Sequence, residues 1–176
     1  MNAQLYDKQR FRQTLEALLD GKNIVHPEVI EAVERWMDSD YRGLVLMGSV
    51  GTGKTTMAYA IRRAWEHPLK IANVRNCQWI ADQIKLDATW VQEIAGEKGL
   101  MILDDFGTEP KVWGEESMLP ILFTRYQNNL PTIITTNLNF QLIKERYGER
   151  IADRLRDYAR IVMDYDSLRG NDTDNH

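Results

Sequence analysis

The feature that most constrains this chain is the run Gly48-Ser49-Val50-Gly51-Thr52-Gly53-Lys54-Thr55, set directly behind the apolar segment Gly43–Met47 (GLVLM). It fits G-x-x-x-x-G-K-[ST] without a mismatch. The glycines allow positive φ and let backbone N–H groups approach phosphate oxygens closely. A helix expected over about 55–66 points its positive dipole end at the same anion. Lys54 supplies a compact positive charge near the β- and γ-phosphates, and Thr55 offers a hydroxyl to Mg²⁺. The apolar run ahead of the loop suits a strand buried on both faces. Strand, tight turn and helix must therefore follow one another here, and ATP with Mg²⁺ is the expected ligand.

The rest of the chain alternates helices with short apolar strands. Residues 3–20 read as a helix with Phe11, Leu15, Leu18 and Leu19 on one stripe. A second helix starts near Pro27, a residue tolerated at the first helical position. Strands are expected at 70–74, 99–103, 132–135 and 160–164. Between them, 77–97 reads as one or two helices, 115–128 as a helix that Pro120 delays or kinks, and 140–158 as a charged helical region. Such alternation implies a parallel sheet with right-handed crossovers, whose ligands sit beyond the carboxyl ends of the strands.

Two further polar groups fall at strand ends. The run Leu100-Met101-Ile102-Leu103 ends in Asp104-Asp105. Asp104 suits a Mg²⁺ ligand acting through water, and Asp105 suits a group that orients or deprotonates an attacking water. Asn137 follows Thr135-Thr136; its amide either holds that water, touches the γ-phosphate, or simply forms a turn. The basic residues Lys144, Arg146, Arg150, Arg154, Arg156 and Arg160 are interleaved with Glu145, Glu149, Asp153 and Asp157. Most are expected to form weak i,i+3 ion pairs such as Arg146–Glu149, Arg150–Asp153 and Asp153–Arg156 on a solvated helix. One or two are candidates to reach a neighbouring subunit's γ-phosphate.

Composition excludes several classes. With 22 Lys plus Arg against 26 Asp plus Glu, the net charge of −4 does not suit a globally basic nucleic-acid coat protein, although a local basic patch is compatible with it. Cys77 is the single cysteine and the histidines are His26, His67 and His176, so no intramolecular disulfide and no Cys/His zinc cluster can form. No stretch approaches the roughly 20 apolar residues of a membrane span, and the start lacks a signal-peptide plan. One domain in the cytoplasm is expected.

Taken in order, GLVLMGSVGTGKTTMAYAI, LMILDDFG, PTIITTN, YGERIADRL and DSLRG resemble the AAA+ ATPases, specifically the DnaC/IstB-like branch of helicase loaders and transposition helpers. The likeness spans roughly 25–170. It implies an α/β P-loop NTPase fold with an AAA+ core, a five-stranded parallel sheet flanked by helices, and no C-terminal helical lid. The chain then divides into an N-terminal helix over 1–22, either a reduced partner contact or a helix packed on the core, an ATPase core over 23–170, and a polar, flexible tail over 171–176. By this resemblance Gly48 to Thr56 bind the nucleotide, Asp104 and Asp105 form Walker B, and Asn137 takes the sensor 1 position. Arg154 matches the arginine acting in trans, with Arg150 as second choice, and Arg169 matches a sensor 2-like phosphate contact. Walker B usually ends Asp-Glu; the shorter Asp105 here implies slow turnover.

The branch implies ATP-dependent assembly on single-stranded DNA and a protein partner. That partner is a replicative helicase for a loader or a transposase for a transposition helper. A nucleotide-dependent binding module with little catalysis is the alternative of another class. A small-molecule kinase would need an arginine-rich lid that is not evident. For DNA, the segment 74–98 offers Arg75, Trp79, Lys85 and Trp90, since stacking plus positive charge is what single strands need. Tryptophan at this spacing is more often core, and core is the preferred reading for both.

Overall fold

The computed structural model describes residues 5–21, 25–66 and 72–164. Arg169 and the tail 171–176 lie outside the described residues, as do residues 70 and 71 at the start of the expected second strand. Among the described residues are five strands: β1 (Gly43–Met47), β2 (Ala72–Asn76), β3 (Leu100–Phe106), β4 (Thr132–Thr136) and β5 (Ala159–Val162). All pair in parallel, in the order β2-β3-β4-β1-β5. The order explains the residue types. The central strands β1, β3 and β4 are buried almost throughout and are apolar or Thr-rich, whereas the edges β2 and β5 are half-buried and carry Asn73, Arg75 and Arg160.

Alternate strand residues feed two separate cores. Leu44, Leu46, Leu100, Ile102 and Ile133 face α1 (Lys8–Leu19), α2 (Pro27–Met37) and α3 (Lys54–Ala64). Val45, Met47, Met101, Leu103 and Ile134 face α4 (Cys77–Leu86), α5 (Trp90–Gly96), α6 (Met118–Gln127), α7 (Phe140–Tyr147) and α8 (Glu149–Arg156). The period of two along each strand thus puts one helical layer on each face of the sheet. Among the described residues no helix is long and apolar enough to cross a membrane.

Local chemistry accounts for the departures from the expected boundaries. Helix α1 begins at Lys8 because the Asp7 carboxylate accepts from the Arg10 N–H at 2.9 Å. It packs on α3 through Phe11 and Leu15, while Arg12 grips Glu34 of α2 at 2.5 and 2.7 Å. Tyr6 lies 5.1 Å from both the Trp36 and Trp65 rings. The segment 77–97 divides into two helices at Asp87, whose carboxylate accepts from the Thr89 N–H at 2.9 Å. Helix α6 starts at Met118, later than the expected 115, so the expected delay is observed: Pro120 falls in its first turn, where backbone N–H groups lack helical partners. The charged region is two helices, broken at Gly148 (φ 85°, ψ 165°).

Arg125 is completely buried on α6. Its guanidinium donates to the carbonyls of Glu97 (2.8 Å), Gly99 (3.0 Å) and Pro131 (3.0 Å) and to the Thr132 hydroxyl (2.9 Å). It therefore ties the approaches to β3 and β4 together at the amino ends of the strands. Burial pushes its pKa down to about 10, against the opposing effect of Tyr158 and Glu97.

Candidate nucleotide site

The loop leaving β1 is held by close backbone packing. A side chain at Gly48 would place its Cβ 2.2 Å from the Met163 carbonyl oxygen, so only glycine fits between the loop and the end of β5. At the other end of the loop, Gly53 caps α3 in the left-handed region at φ 84°. The turn is closed by the Thr52 hydroxyl donating to the Ser49 carbonyl at 3.0 Å, and Ser49 donates to the Asp164 carboxylate at 3.2 Å.

Lys54 opens α3 and is buried, its ammonium donating to the carbonyls of Gly48 (2.9 Å) and Ser49 (2.6 Å). Burial lowers its pKa, and the charges of Asp105 and Asp104 oppose that shift. A cleft of about 320 Å³ opens over this corner, lined by Val50, Gly51, Gly53, Lys54, Thr55, Thr56, Asp105 and Asn137. Three segments far apart in sequence thus meet at the carboxyl ends of β1, β3 and β4. A larger hollow of about 610 Å³, lined by Arg42, Lys98 and residues 128–131 among others, lies at the opposite, amino ends of the strands. The carboxyl-end cleft is the one where parallel sheets hold ligands, and it alone of the two contains the phosphate loop.

The acidic strand end lies directly against the loop. The Thr55 hydroxyl donates to the Asp104 carboxylate, with oxygens 3.0 and 3.2 Å apart. This pair of hard oxygen donors beside an amide-lined loop fits Mg²⁺ shared with phosphate oxygens, which usually binds through one or two protein oxygens plus substrate and water. Asp105 points into the cleft from a left-handed backbone at φ 58°. Partial burial raises its pKa, the Asp104 charge raises it further, and Lys54 opposes both.

Some contributors escaped the sequence reading. The Thr135 hydroxyl, fully buried on β4, donates to Asp104 at 2.6 Å and accepts from the Asp105 N–H at 2.9 Å. Asn76, at the end of β2, donates its amide to the Asp105 carboxylate at 3.3 Å while capping α4 through the Gln78 and Trp79 N–H groups. The signal available in the sequence was placement alone: both residues stand at strand carboxyl ends.

Arg146 is not part of a solvated helix face. In place of the expected local pair with Glu149, it pairs with Glu116 (3.3 Å) and Glu109 (3.6 Å), donates to the Gly107 and Glu109 carbonyls, and so clamps the segment following Asp105. The Asp153–Arg156 pair forms as expected. Arg154 and Arg150 do not line the cleft of their own chain. Arg154 lies 4.3 Å over Phe123 and 5.3 Å over Tyr126, its Nε without a hydrogen-bond partner, and Arg150 lies 5.3 Å over Phe123. The core assignment of Trp79 is corrected: it is 38% exposed, with Arg75 5.1 Å over its ring and Trp90 meeting it edge-on at 5.5 Å. Residues 77, 80, 81 and 84 form the buried stripe of α4, and position 79 falls on its outer face. Trp90 packs against the core while remaining half-buried.

No protein-family model matches the chain. Among curated proteins it is 24% identical to the Replication factor C large subunit of Thermoplasma acidophilum, over 94% of this chain; the chain spans 43% of that relative's length. Among solved structures it is similar to DnaI, at TM-score 0.64 and 26% identity, covering 86% of this chain and 93% of that one. The DnaC helicase loader superposes at TM-score 0.69 with 21% identity, covering 91% and 100%. The replication initiator DnaA, bound to AMPPCP and single-stranded DNA, superposes at TM-score 0.62 with 19% identity, covering 88% and 50%. The chain has the five-stranded parallel P-loop fold of these AAA+ proteins, and it resembles the DnaC-like branch.

Proposed function

We propose that this protein is a replication-related ATPase of the DnaC/DnaI type, which binds ATP with Mg²⁺, hydrolyses it slowly, and assembles with further copies of itself on single-stranded DNA. The observation that carries the reading is one cleft lined by Lys54, Thr55, Asp105 and Asn137, with Asp104 bonded to Thr55 beneath it.

In this reading the backbone N–H groups of residues 51–55 hold the phosphates, and Lys54 neutralises charge on the β- and γ-oxygens. Thr55 and Asp104 hold Mg²⁺, which when bound supplies further neutralisation of the transferring group. Asp105, with its raised pKa, accepts a proton from the attacking water, and the Asn137 amide orients that water. Carboxylate and amide act from adjacent strands, so the water lies between two fixed groups. Asp105 is one methylene shorter than the usual Glu, so it holds the water at longer reach; slow turnover follows.

Arg154, or Arg150 in second place, completes the site of a neighbouring copy. Both are held over aromatic rings away from their own cleft, which supports action in trans. The exposed Trp79 with Arg75 over its face, beside Trp90, supports a stacking platform for single-stranded DNA, as does the fold likeness to an initiator bound to such DNA. A replicative helicase is the proposed protein partner.

The test is ATP hydrolysis against protein concentration, with and without a single-stranded oligonucleotide. Specific activity that rises with concentration and with DNA is expected. Arg154→Ala retains ATP binding and loses turnover, and mixing it with Lys54→Ala restores part of the activity, because one composite site then has an intact cleft and an intact arginine. Activity flat with concentration and indifferent to DNA refutes assembly and leaves the binding-module reading ahead.

A further inference from the structure

Strand β3 does not deliver its carboxylates as a regular strand. Leu103 pairs with Ile134 and Phe106 pairs with Thr136, so three steps on β3 match two on β4. The extra residue is a bulge, a device that re-aims a side chain. Asp105 sits in it at φ 58°, a conformation uncommon for a residue with a Cβ.

The side chains of β4 hold this bulge where the ladder cannot. The Thr136 hydroxyl donates to the Phe106 carbonyl at 2.6 Å. Thr135 spans both carboxylate residues: its oxygen accepts from the Asp105 N–H at 2.9 Å and its proton goes to Asp104 Oδ1 at 2.6 Å. A hydroxyl has one proton to give, so donation to Asp104 fixes its direction and leaves the lone pairs for Asp105. Asp104 Oδ1 is thereby shared between Thr135 and Thr55, which sets the carboxylate plane toward the phosphate loop. Thr132, on the same strand, uses its hydroxyl for Arg125 and the Leu130 carbonyl and touches neither carboxylate. The connection is specific to position 135.

We propose that Thr135 is a positioning residue for both functions of the β3 end: one hydroxyl sets the Asp104 rotamer that receives Mg²⁺ and the backbone bend that aims Asp105 at the water. The proposal rests on the reading of the cleft as an ATP·Mg²⁺ site.

The test compares Thr135→Val, which removes the hydroxyl and keeps the shape, with Thr135→Ser, which keeps the hydroxyl. Four quantities are measured on the full chain: melting temperature, ADP affinity in EDTA, ADP affinity at saturating Mg²⁺, and the Mg²⁺ and ATP dependence of hydrolysis. Thr135→Val is expected to leave Mg²⁺-free ADP affinity within about twofold, and to reduce both the Mg²⁺-dependent gain in affinity and kcat by about 10–100-fold, as loss of a ligand-orienting group does. Thr135→Ser recovers most of both. Where Thr135→Val melts early, Thr135→Ala takes its place. Wild-type Mg²⁺ dependence in the hydroxyl-free variant overturns the proposal, and so does a loss in Thr135→Ser equal to that in Thr135→Val, since the missing methyl would then be the cause. If the parent protein binds ADP with a Mg²⁺-dependent gain but does not hydrolyse ATP, the ATPase reading fails while the Asp104 half of the proposal is still decided by affinity.

Discussion

Gly48→Ala tests whether the phosphate loop works only at its observed distance from β5. The new Cβ would lie 2.2 Å from the Met163 carbonyl oxygen and 2.8 Å from its carbon. An ordinary carbon–oxygen contact is about 3.3 Å, so loop and strand must separate by about 1 Å. Neither side can yield cheaply, because both clashing atoms are backbone. Met163 is itself paired through its N–H to the Met47 carbonyl at 2.6 Å, and Gly48 through its N–H to Thr136 at 3.3 Å. The loop is the freer of the two, and a shift of that size in a positioning element costs about 100-fold, or about 2.7 kcal/mol.

The assay is nucleotide affinity by calorimetry, with thermal unfolding measured in parallel. Overpacking of this kind costs about 1–3 kcal/mol of stability, a fall in melting temperature of about 2–12 °C for a chain of this size. Mg²⁺·ATP affinity is expected to fall about 100-fold, well beyond what that loss of stability alone produces in a protein that stays folded at the assay temperature. Gly96→Ala is the control, since nothing lies within 4 Å of a Cβ there. Affinity within about threefold of the parent, with an unchanged melting temperature, would refute the claim that this contact sets the loop.

Three other perturbations separate structure from chemistry. Arg125→Met deprives the buried Glu97 and Gly99 carbonyls of partners and should cost about 3 kcal/mol, seen as a melting temperature lower by about 6–12 °C with nucleotide affinity per folded molecule unchanged; an equally stable variant would refute the tie between strands. Asp105 has its pKa raised by burial and by Asp104, so its protonated form persists to higher pH and the rate should climb with pH above the ordinary carboxylate range; an acid limb within that range, or one that survives Asp105→Asn, would exclude it as the base. Asn76→Asp keeps the oxygen that caps α4 but exchanges the amide donated to Asp105 for a third carboxylate, so kcat should fall and the acid limb move further up while the melting temperature holds; a pH profile identical to the parent's would show that the 3.3 Å contact does not bear on Asp105.

What the chain discloses in one dimension follows from how each group acts. Residues 48–55 are legible because a phosphate is bound by contiguous backbone, so the whole requirement lies in consecutive positions. Asp104, Asp105 and Asn137 are legible because a parallel sheet sends every strand's carboxyl end to the same edge. Thr135 is hidden, because its importance depends on a register shift between two strands, and a threonine on a strand is otherwise unremarkable for its β propensity. Arg146 and Arg125 are hidden for a related reason. Local spacing offers Arg146 a near neighbour in Glu149 and offers Arg125 none, and both bind at long range: Arg146 reaches the Glu109 carbonyl across 37 residues and Arg125 the Glu97 carbonyl across 28. Charge-assisted bonds gain most where water is excluded, so the half-buried Arg146 leaves its periodic pair for Glu116 and Glu109 while the exposed Arg156 keeps its pair with Asp153. The same reasoning bears on the proposed arginine in trans. Arg154, which donates to the Arg150 carbonyl at 2.9 Å, and Arg150 lie over Phe123, and among the described residues neither pairs with a carboxylate, unlike Arg146; under the proposed action in trans their guanidinium edges would meet a phosphate brought by another copy.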